Sequence, residues 1–401
     1  MTMMKFDFSE EVLVIGNGFD LYHFLPTRYI DFLRAVNRLM ELDESGKLER
    51  CQYIKYVWGP ESPIYKNDEY IRRCYDVHSE KMKSVLLNQD NLEELVKICK
   101  NNIWITYFRR CLEKNIGWID FEKEIGNVLS AVQDLFLLDG IADDLVSGIY
   151  FRDIDALKLK TIDLLGQLPF AEYEDVYFTL NEEYCEAGIC GDFYVSMDKE
   201  KMLDKLEEDL EKLAKALCIY LKEFVQKIAI FKNSDNPIFY GIDKVLSFNY
   251  TDTYRKLYSE DVEIKFIHGS IDDERGIVLG INNDDKDELE NMDAGLIRFK
   301  KYYQRAIKDT FYSVDDFLDD KETTYNVAIV GHSIDITDRD ILVGLMEHPR
   351  TNITIYYHDD KAHRLQMANL INMVGKSWFD QLRNKKKVSF KILKEYKEAD
   401  D

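Results

Sequence analysis

Polar side chains that can support acid–base chemistry or ligand binding follow four short apolar segments of this sequence. The segments are VLVIGNG (12–18), KVLSFN (244–249), IKFIHG (264–269) and VAIVGHS (327–333). The polar residues at or just beyond their ends are Asn17, Asp20, His23, Asn249, Asp252, His268, Ser270, His332, Ser333, Asp335 and Asp338. An imidazole can act as a general base near neutral pH, and a carboxylate can stabilise a developing positive charge. If the four segments are parallel strands of one sheet, these groups lie at one edge and form a single site.

These segments have the features of strands that are covered on both faces. Each is short, apolar and rich in β-branched residues, which is typical of a buried parallel strand. Three more segments share the pattern: IVLGI (277–281), NITIYYH (352–358) and VSFKIL (388–393). Helical patterns lie between several of them, as in DRDILVGLMEH and KAHRLQMANLINMV. The alternation predicts an α/β fold with an open, mostly parallel sheet and helices on both faces.

Helical patterns dominate a long stretch, from about residue 68 to 232, between the first strand and the others. The clearest one spans 198–230 and has apolar residues at steps of three and four: Leu203, Leu206, Leu210, Leu213, Leu217, Tyr220, Phe224 and Ile228. It predicts one long amphipathic helix that pairs with another helix, either in the same chain or across a dimer, and pairing in the same chain is the favoured interpretation. We therefore predict a discontinuous α/β domain at 1–45 and 236–401 with an all-helical insertion at 46–235. A further helix at 27–40 is predicted to start with Thr27 as its N-cap.

The composition is that of a globular protein with an acidic surface. Of 401 residues, 46% are hydrophobic and 32% are charged, and the formal net charge is −22. This charge opposes general binding to nucleic acid or to an anionic membrane. The seven cysteines are odd in number and scattered, which indicates a reducing compartment. No apolar run reaches about 18 residues, and the first residues lack a signal-peptide core, so we expect a soluble, cytoplasmic protein.

Several of the candidate residues also have a purely structural interpretation. Asp252 and Asp338 follow strands, where a carboxylate commonly caps the next helix, and capping is the favoured interpretation of both. Asp335, Asp338 and Asp340 offer carboxylates for the metal ions of a nuclease, but they too fit the start of a helix better. A histidine after a strand is more often a satisfied structural residue than a catalyst.

The glycine turn at 16–18 is a weak signal for a nucleotide. Gly16 and Gly18 match a G-x-G turn, but Leu21 takes the position of the third glycine, so a tight turn without a ligand is an alternative. Asp20 would repel a diphosphate placed at this turn. Three roles remain for this carboxylate: bonding to ribose hydroxyls, holding a divalent cation that bridges phosphates, or stabilising a cationic sugar.

Five strings of the sequence, spread over nearly the whole chain, resemble the bacteriophage abortive-infection AbiH family. They are LVIGNGFDLYHFLPTRYIDFL, GWIDFEKEI, SFNYTDTYRKLY, FIHGS and GHSIDITDRDIL. The resemblance implies an antiphage defence protein that halts the infected cell before phage is released. Such a protein is expected to stay silent until an unknown phage or host trigger activates it.

A more distant similarity is to sirtuin-like NAD-consuming domains of bacterial antiphage systems. Their glycine loop is similar to Gly16-Asn17-Gly18 with Pro26-Thr27 of this sequence. Their asparagine and His-Gly elements are similar to Asn249 and to His268-Gly269, whereas the sirtuin zinc ribbon is absent from this sequence. The similarity implies a Rossmann-like fold and hydrolysis of NAD or a related nucleotide at its N-glycosidic bond, with no tightly bound cofactor. The catalytic candidates are Asn249, His268, Asp20 and Asp252. The ligand-binding candidates are Gly16, Asn17, Gly18, Thr27, Gly269, Ser270, Gly331, His332, Ser333 and Asp338.

In this hypothesis His268 is the general base, and Asn249 orients the attacking water or a ribose hydroxyl. A carboxylate, from Asp20 or Asp252, stabilises the oxocarbenium-like transition state. His332 and Asp338 are expected to bind the far end of the ligand. Trp118, Asp120 and Glu122, which belong to the insertion, are expected to close the pocket as a lid. The alternative is a non-enzymatic, nucleotide-binding switch whose helical region engages a phage or host protein. No protein-bound metal is expected, and a homo-oligomer is left open.

Overall fold

The central element of the protein is a six-stranded parallel sheet. The structure, a computed structural model, describes residues 9–114, 119–150, 161, 164–174, 177–190, 192–228, 234–281, 294–310, 313–319 and 322–395. The strands of the sheet are β1 (Ser9–Ile15), β2 (Lys244–Ser247), β3 (Glu263–Phe266), β4 (Thr324–Val330), β5 (Thr351–Tyr357) and β6 (Val388–Ile392). All five neighbouring pairs are parallel, in the order β6-β5-β4-β1-β2-β3. The predicted α/β class with a parallel sheet is confirmed.

The strand order reverses at β1. The chain runs from β1 to β2 and β3 on one side, then returns to β4 on the other side and continues outward to β6. Ile15, the last residue of β1, is paired with Ser247 of β2 and with Val330 of β4. In open parallel sheets of this order, ligands bind beyond the carboxyl ends of the strands at the reversal point. The loops after β1, β2 and β4 are therefore the expected place for a site.

Both faces of the sheet are buried, which explains the apolar runs in the sequence. Val12 and Val14 of β1 belong to the core on one face, whereas Leu13 and Ile15 belong to the core on the other. All four side chains are at most 1% exposed. Successive side chains of a strand point to opposite faces, so a strand that is covered on both faces is apolar at every position.

Helices account for much of the remaining described chain. The α-helices are Asn17–Tyr22, Tyr29–Glu44, Lys55–Trp58, Pro63–Asn67, Glu69–Val77, Ser79–Met82, Gln89–Lys100, Ile103–Lys114, Phe121–Phe136, Ala142–Ser147, Lys199–Tyr220, Thr253–Leu257, Lys301–Ile307, Val314–Phe317, Arg339–Glu347, Asp360–Val374 and Lys376–Asn384. Short 3₁₀ turns are Leu48–Gln52, Asp139–Ile141, Glu182–Tyr184, Pro237–Phe239, Ala294–Phe299 and Ile336–Asp338. In the part of the chain that the structure describes, no single helix has the length and apolar composition to cross a membrane, and one bent pair, Phe121–Phe136 with Asp139–Ser147, meets those criteria at a bend of 54°.

The chain divides into two compact units. One comprises Met1–Glu93, Leu217–Val278 and Arg305–Asp401 and contains the parallel sheet. The other comprises Glu94–Ala216 and Leu279–Gln304. The boundaries predicted from the sequence, at residues 45 and 236, stay a prediction.

The stretch between β1 and β2 is not all helical, which corrects the sequence prediction. It contains a three-stranded antiparallel sheet of Ile149–Tyr150, Tyr177–Leu180 and Ala171–Glu174, and a hairpin of Cys185–Cys190 with Asp192–Met197. In YFTL, Phe178 and Leu180 are buried while Tyr177 is exposed, which is the two-residue period of a strand covered on one face.

The segment IVLGI (277–281) was predicted as a strand, and this prediction is wrong. Its backbone bonds instead to loops and a side chain: Val278 N–H donates to the carbonyl of His268, and Ile281 N–H to that of Phe299. The Leu279 N–H donates to Gln304 Oε1 at 3.1 Å. Ile281 forms an isolated parallel bridge with Lys300. Burial made the segment apolar, and an apolar run alone does not distinguish a strand from a buried loop.

The long amphipathic helix is confirmed over Lys199–Tyr220, and it continues as a π-helical turn at Leu221–Gln226. All eight residues of its predicted apolar stripe are buried. The predicted pairing within the chain is present, since the indole N–H of Trp104 in helix Ile103–Lys114 donates to the carbonyl of Leu206 at 3.0 Å.

Candidate functional site

The glycine turn after β1 packs directly against the loop after β4. Gly16 N–H donates to the Val330 carbonyl at 3.1 Å, and Gly18 N–H donates to the Gly331 carbonyl at 2.8 Å. A Cβ on Gly18 would lie 2.6 Å from the Cα of Gly331, so a side chain there would force the two loops apart. Phe19 N–H also donates within the turn, to the Gly16 carbonyl. Since these three N–H groups are engaged inside the protein, a phosphate bound near this turn would need other donors.

Asn249, the residue after Phe248 at the end of β2, joins the same contact. Its Nδ2 donates to the Gly16 carbonyl at 3.0 Å. The ring of Phe248 lies against two imidazoles, with centroids 4.4 Å from His332 and 5.7 Å from His268. A Cβ on Gly16 would lie 3.0 Å from Cδ2 of His332. The loops that follow β1, β2, β3 and β4 therefore converge, as the strand-end pattern predicted.

One carboxylate bridges the two histidines. Asp338 Oδ1 lies 3.0 Å from Nε2 of His268, and Oδ2 lies 3.2 Å from Nε2 of His332. All three side chains are buried. Capping was the favoured interpretation of Asp338 and it is wrong: the residue precedes helix Arg339–Glu347, but its side chain makes no capping bond there. A buried carboxylate that orients an imidazole is an arrangement used in general base catalysis.

The contacts of His332 define its tautomer. Ile334 N–H donates to Nδ1 of His332 at 2.9 Å, and a backbone N–H can only donate. Nδ1 is therefore the unprotonated nitrogen, and Nε2–H donates to Asp338. Ile334 adopts a φ of 57°, which is strained for a β-branched residue. Strain of this kind persists where the surrounding structure enforces the conformation. In this conformation the Ile334 N–H points at Nδ1 of His332.

Two amides of helix Asp360–Val374 fix the backbone of this loop. Gln366 Nε2 donates to the His332 carbonyl at 2.9 Å, and Asn369 Nδ2 donates to the Ser333 carbonyl at 3.0 Å. Gly331, at a φ of 68°, begins the loop. Side-chain donors to two consecutive carbonyls therefore tie the His332 loop to helix Asp360–Val374.

Asp20 is a buried carboxylate with two different oxygens. Oδ2 accepts from the Thr251 hydroxyl at 2.6 Å, and the Thr253 hydroxyl lies 3.2 Å from that of Thr251. Among the described residues, Oδ1 has no hydrogen-bond partner. Burial raises the pKa of Asp20 to about 6, against the opposing effect of the two threonine hydroxyls. Holding this side chain ionised therefore costs folding free energy, which is common at functional sites.

The other carboxylate proposed for catalysis, Asp252, has a side chain that is 13% exposed. It pairs with Arg255 at 3.1 Å and does not cap its helix, which corrects the capping interpretation. Burial raises its pKa, and the charge of Arg255 opposes the shift. No contact joins Asp252 to the histidine pair among the hydrogen bonds of the described residues, so its predicted role stays a prediction.

His23 is a structural residue. Its Nδ1–H donates to the Phe19 carbonyl at 2.8 Å, and its Nε2 accepts from the Tyr258 hydroxyl at 2.7 Å. The ring packs against Phe19, Tyr258 and Phe239. Burial lowers its pKa to about 4. His23 is therefore neutral at physiological pH, and its ring packs against Phe19 of helix Asn17–Tyr22.

Thr27 is not the N-cap of its helix, which corrects the prediction. The helix starts at Tyr29, and the Arg28 N–H donates to Asp31 Oδ2. The Thr27 hydroxyl donates instead to Oδ1 of Asn17 at 2.5 Å, so these two ligand-binding candidates bond to each other.

Two other candidates shape the turn after β3. Gly269 has a φ of 76°, and a Cβ there would lie 2.4 Å from the Gly276 carbonyl oxygen. The Ser270 hydroxyl accepts from the Asp272 N–H at 3.2 Å. Ligand contact by Gly269 or Ser270 stays a prediction.

Apart from Asp338, the carboxylates considered for a nuclease or a lid make ordinary structural contacts. Asp335 accepts from the Thr337 N–H at 3.0 Å, and Asp340 pairs with Arg305 at 2.5 Å. Asp120 caps helix Phe121–Phe136, and Glu122 pairs with Lys301 at 2.8 Å. Trp118 lies outside the described residues. Within those residues, no group of three or more His, Cys, Asp or Glu side chains is placed to hold a metal ion.

Sequence reasoning missed Thr251, Gln366 and Ile334. The threonine lies two residues beyond Asn249, in a string already singled out, so its hydroxyl was a detectable signal. Gln366 lies on an ordinary amphipathic helix, and Ile334 reads as a core residue. Neither has a pattern in the sequence that indicates its contact with the His332 loop.

The loops that carry this site lie inside a region that matches a known family. A protein-family model described as bacteriophage abortive infection AbiH matches residues 12–359. The chain belongs to the AbiH family. No curated protein and no solved structure matches the chain. The AbiH match starts in β1 and ends just beyond β5, so it includes the glycine turn, Asn249 and the two bridged histidines. Membership of AbiH implies a role in abortive-infection defence against phage.

Proposed function

We propose that the protein acts in antiphage defence by hydrolysing NAD or a related nucleotide at its N-glycosidic bond. One observation carries the proposal: Asp338 bridges His268 and His332, Phe248 packs against both imidazoles, and the next residue, Asn249, bonds to the glycine turn. These contacts lie at the carboxyl edge of the sheet, where the strand order reverses. This is the edge at which open parallel sheets bind nucleotides. The sirtuin-like fold and the Rossmann-like site are part of the proposal and are supported by the strand order.

His268 serves as the general base in this mechanism. Asp338 orients Nε2 of His268, which places the lone pair of the neutral imidazole on Nδ1. A water oxygen bonds to C1′ of the ribose, its proton moves to His268, and the C1′–N bond breaks with its electron pair departing on nicotinamide. Because His332 already accepts the Ile334 N–H at its own Nδ1, taking up a second proton there would break that bond. We therefore assign a positioning role to His332, and the proposal assigns the proton transfer to His268.

The other two candidates act on the sugar. Asn249 is anchored through Nδ2 to the Gly16 carbonyl, which presents its Oδ1 as a hydrogen-bond acceptor for the water or for a ribose hydroxyl. Asp20 supplies negative charge for the oxocarbenium-like transition state. Because the N–H groups of the glycine turn are engaged within the protein, the proposal has the phosphates of the nucleotide bind away from this turn. A divalent cation that enters with the nucleotide would neutralise part of their charge.

A second function is favoured by the burial of the site. Asp20, Asn249, His268, His332 and Asp338 are each at most 8% exposed. A site this enclosed has to open before a nucleotide enters, and a ligand that stabilises one of two states is the basis of a switch. The second candidate is therefore a nucleotide-binding sensor without turnover that engages a phage or host protein when the site changes state.

An assay of nicotinamide release separates the two functions. The purified chain is incubated with NAD, with and without Mg²⁺ and extract of phage-infected cells, and the products are separated by chromatography. The comparison includes His268→Ala, Asn249→Ala and the control His358→Ala, which removes a surface imidazole that is 73% exposed. The proposal predicts release that falls by about 10²- to 10⁴-fold in His268→Ala and stays unchanged in the control. No release under any condition, with a nucleotide-dependent rise in melting temperature, would assign the protein to the sensor class instead.

A further inference from the structure

The two carboxylate oxygens of Asp20 differ in their hydrogen bonds. The Thr251 hydroxyl donates to Oδ2, so its contact with Thr253 is one in which Thr253 donates. The two hydroxyls thus form a chain that points toward the carboxylate. Oδ1 is buried and, within the described residues, has no hydrogen-bond partner. A buried carboxylate oxygen without a donor is unfavourable, so Oδ1 is a position at which a donor group of a ligand would be stabilising.

Asp20 is held rigidly beside the candidate catalytic groups. Its backbone carbonyl accepts from the N–H groups of His23 and Leu25, each at 3.1 Å. The residue lies one helical turn beyond the glycine turn, and its partner Thr251 lies two residues beyond Asn249, which bonds to that same turn. Because consecutive Cα atoms are about 3.8 Å apart, the Cα atoms of Thr251 and Asn249 are within about 8 Å of each other. A ligand that reaches Asn249 therefore also approaches Asp20.

The chemistry of Oδ1 selects the kind of ligand group. A carboxylate oxygen accepts hydrogen bonds and repels phosphate. A metal ion would need several oxygen ligands, and the described residues contain no such cluster. The fully buried position admits a small donor on the edge of a ligand rather than a hydrated cation. We infer that Asp20 Oδ1 accepts a hydrogen bond from the 2′-hydroxyl of a ribose, so that the site selects ribonucleotides over 2′-deoxyribonucleotides. This inference rests on the proposed function and specifies its substrate class.

The test compares binding of NAD with binding of its analogue that carries 2′-deoxyribose on the nicotinamide side. Dissociation constants are measured for the full chain, for Asp20→Asn and for the control Asp359→Asn, which alters an exposed helix cap. In Asp20→Asn the amide oxygen keeps the Thr251 bond, and the amide NH₂ replaces the acceptor at Oδ1. We expect a preference for NAD of about 10- to 100-fold in the wild type and the control, and about 2-fold or less in Asp20→Asn.

The outcomes separate this inference from the proposed function. Equal affinity of the wild type for both compounds overturns the inference, as does a preference that persists in Asp20→Asn. If both compounds then release nicotinamide in a His268-dependent manner, the proposed function stands although the inference about Asp20 is wrong. If neither compound binds at millimolar concentration, both the inference and the nucleotide-based function fall.

Discussion

Replacing Asp20 by Asn is expected to stabilise the fold while impairing function. Burial raises the pKa of this carboxyl from 3.8 to about 6. In the folded protein the group therefore gives up its proton less readily than in the unfolded chain, so ionisation favours unfolding. The loss of unfolding free energy caused by this ionisation is nearly absent below pH 4. It grows as the pH rises and reaches its full size above about pH 6. At about 1.36 kcal/mol per pKa unit, roughly two units amount to about 3 kcal/mol.

The assay is urea unfolding of the wild type and Asp20→Asn between pH 4 and pH 7. The asparagine is uncharged and of the same shape, so its free energy of unfolding relative to wild type should increase by about 2 to 3 kcal/mol over this range. The control Asp359→Asn removes an exposed carboxyl whose pKa is lowered by the Ala362 N–H, and it should show no such gain. A difference between wild type and Asp20→Asn that does not depend on pH would show that burial does not raise the pKa of Asp20 in the folded protein. A stabilised variant that no longer protects cells would show that the buried charge is retained for function.

Two other predictions concern the loop after β4. Gly331→Ala places a Cβ 2.1 Å from the Phe19 nitrogen at a φ of 68°, whereas Gly241→Ala has the same φ and open space around it. Gly331→Ala should therefore lower the free energy of unfolding by several kcal/mol, and Gly241→Ala by about 1 to 2 kcal/mol. Equal losses in the two variants would contradict the close contact between Gly331 and Phe19. Nitrogen-15 NMR at pH 7 should find His332 protonated on Nε2 and unprotonated on Nδ1, and a proton on Nδ1 would contradict its bond from Ile334.

The sheet and the meeting of its loops could be predicted from the sequence. VLVI in β1 and VAIV in β4 are apolar at every position because both faces of the sheet are covered, and such runs are easily recognised. Parallel strands bring their carboxyl ends to one edge, so Asn249, His268 and His332 were expected to lie together. These predictions required the periodicity of the chain and the topology of parallel sheets, and no knowledge of individual contacts.

The parts that sequence could not resolve depend on side-chain direction. An aspartate at the start of a helix fits a cap and a histidine partner equally well, and only the fold shows that Asp338 faces two imidazoles. The run IVLGI is as apolar as a strand, yet its N–H groups bond to loops and to Gln304. The pairing of Asp20 with Thr251 joins residues 231 positions apart, a separation at which local pattern carries no information.

In the proposed function, this site destroys a nucleotide during infection. The most direct measurement is the intracellular level of NAD and related nucleotides, followed by mass spectrometry after phage is added to cells that express the wild type, His268→Ala or His358→Ala. We expect one nucleotide pool to fall before lysis in cells with the wild type or His358→Ala, and to stay constant with His268→Ala. Cells that remain protected while every nucleotide pool stays constant would contradict it.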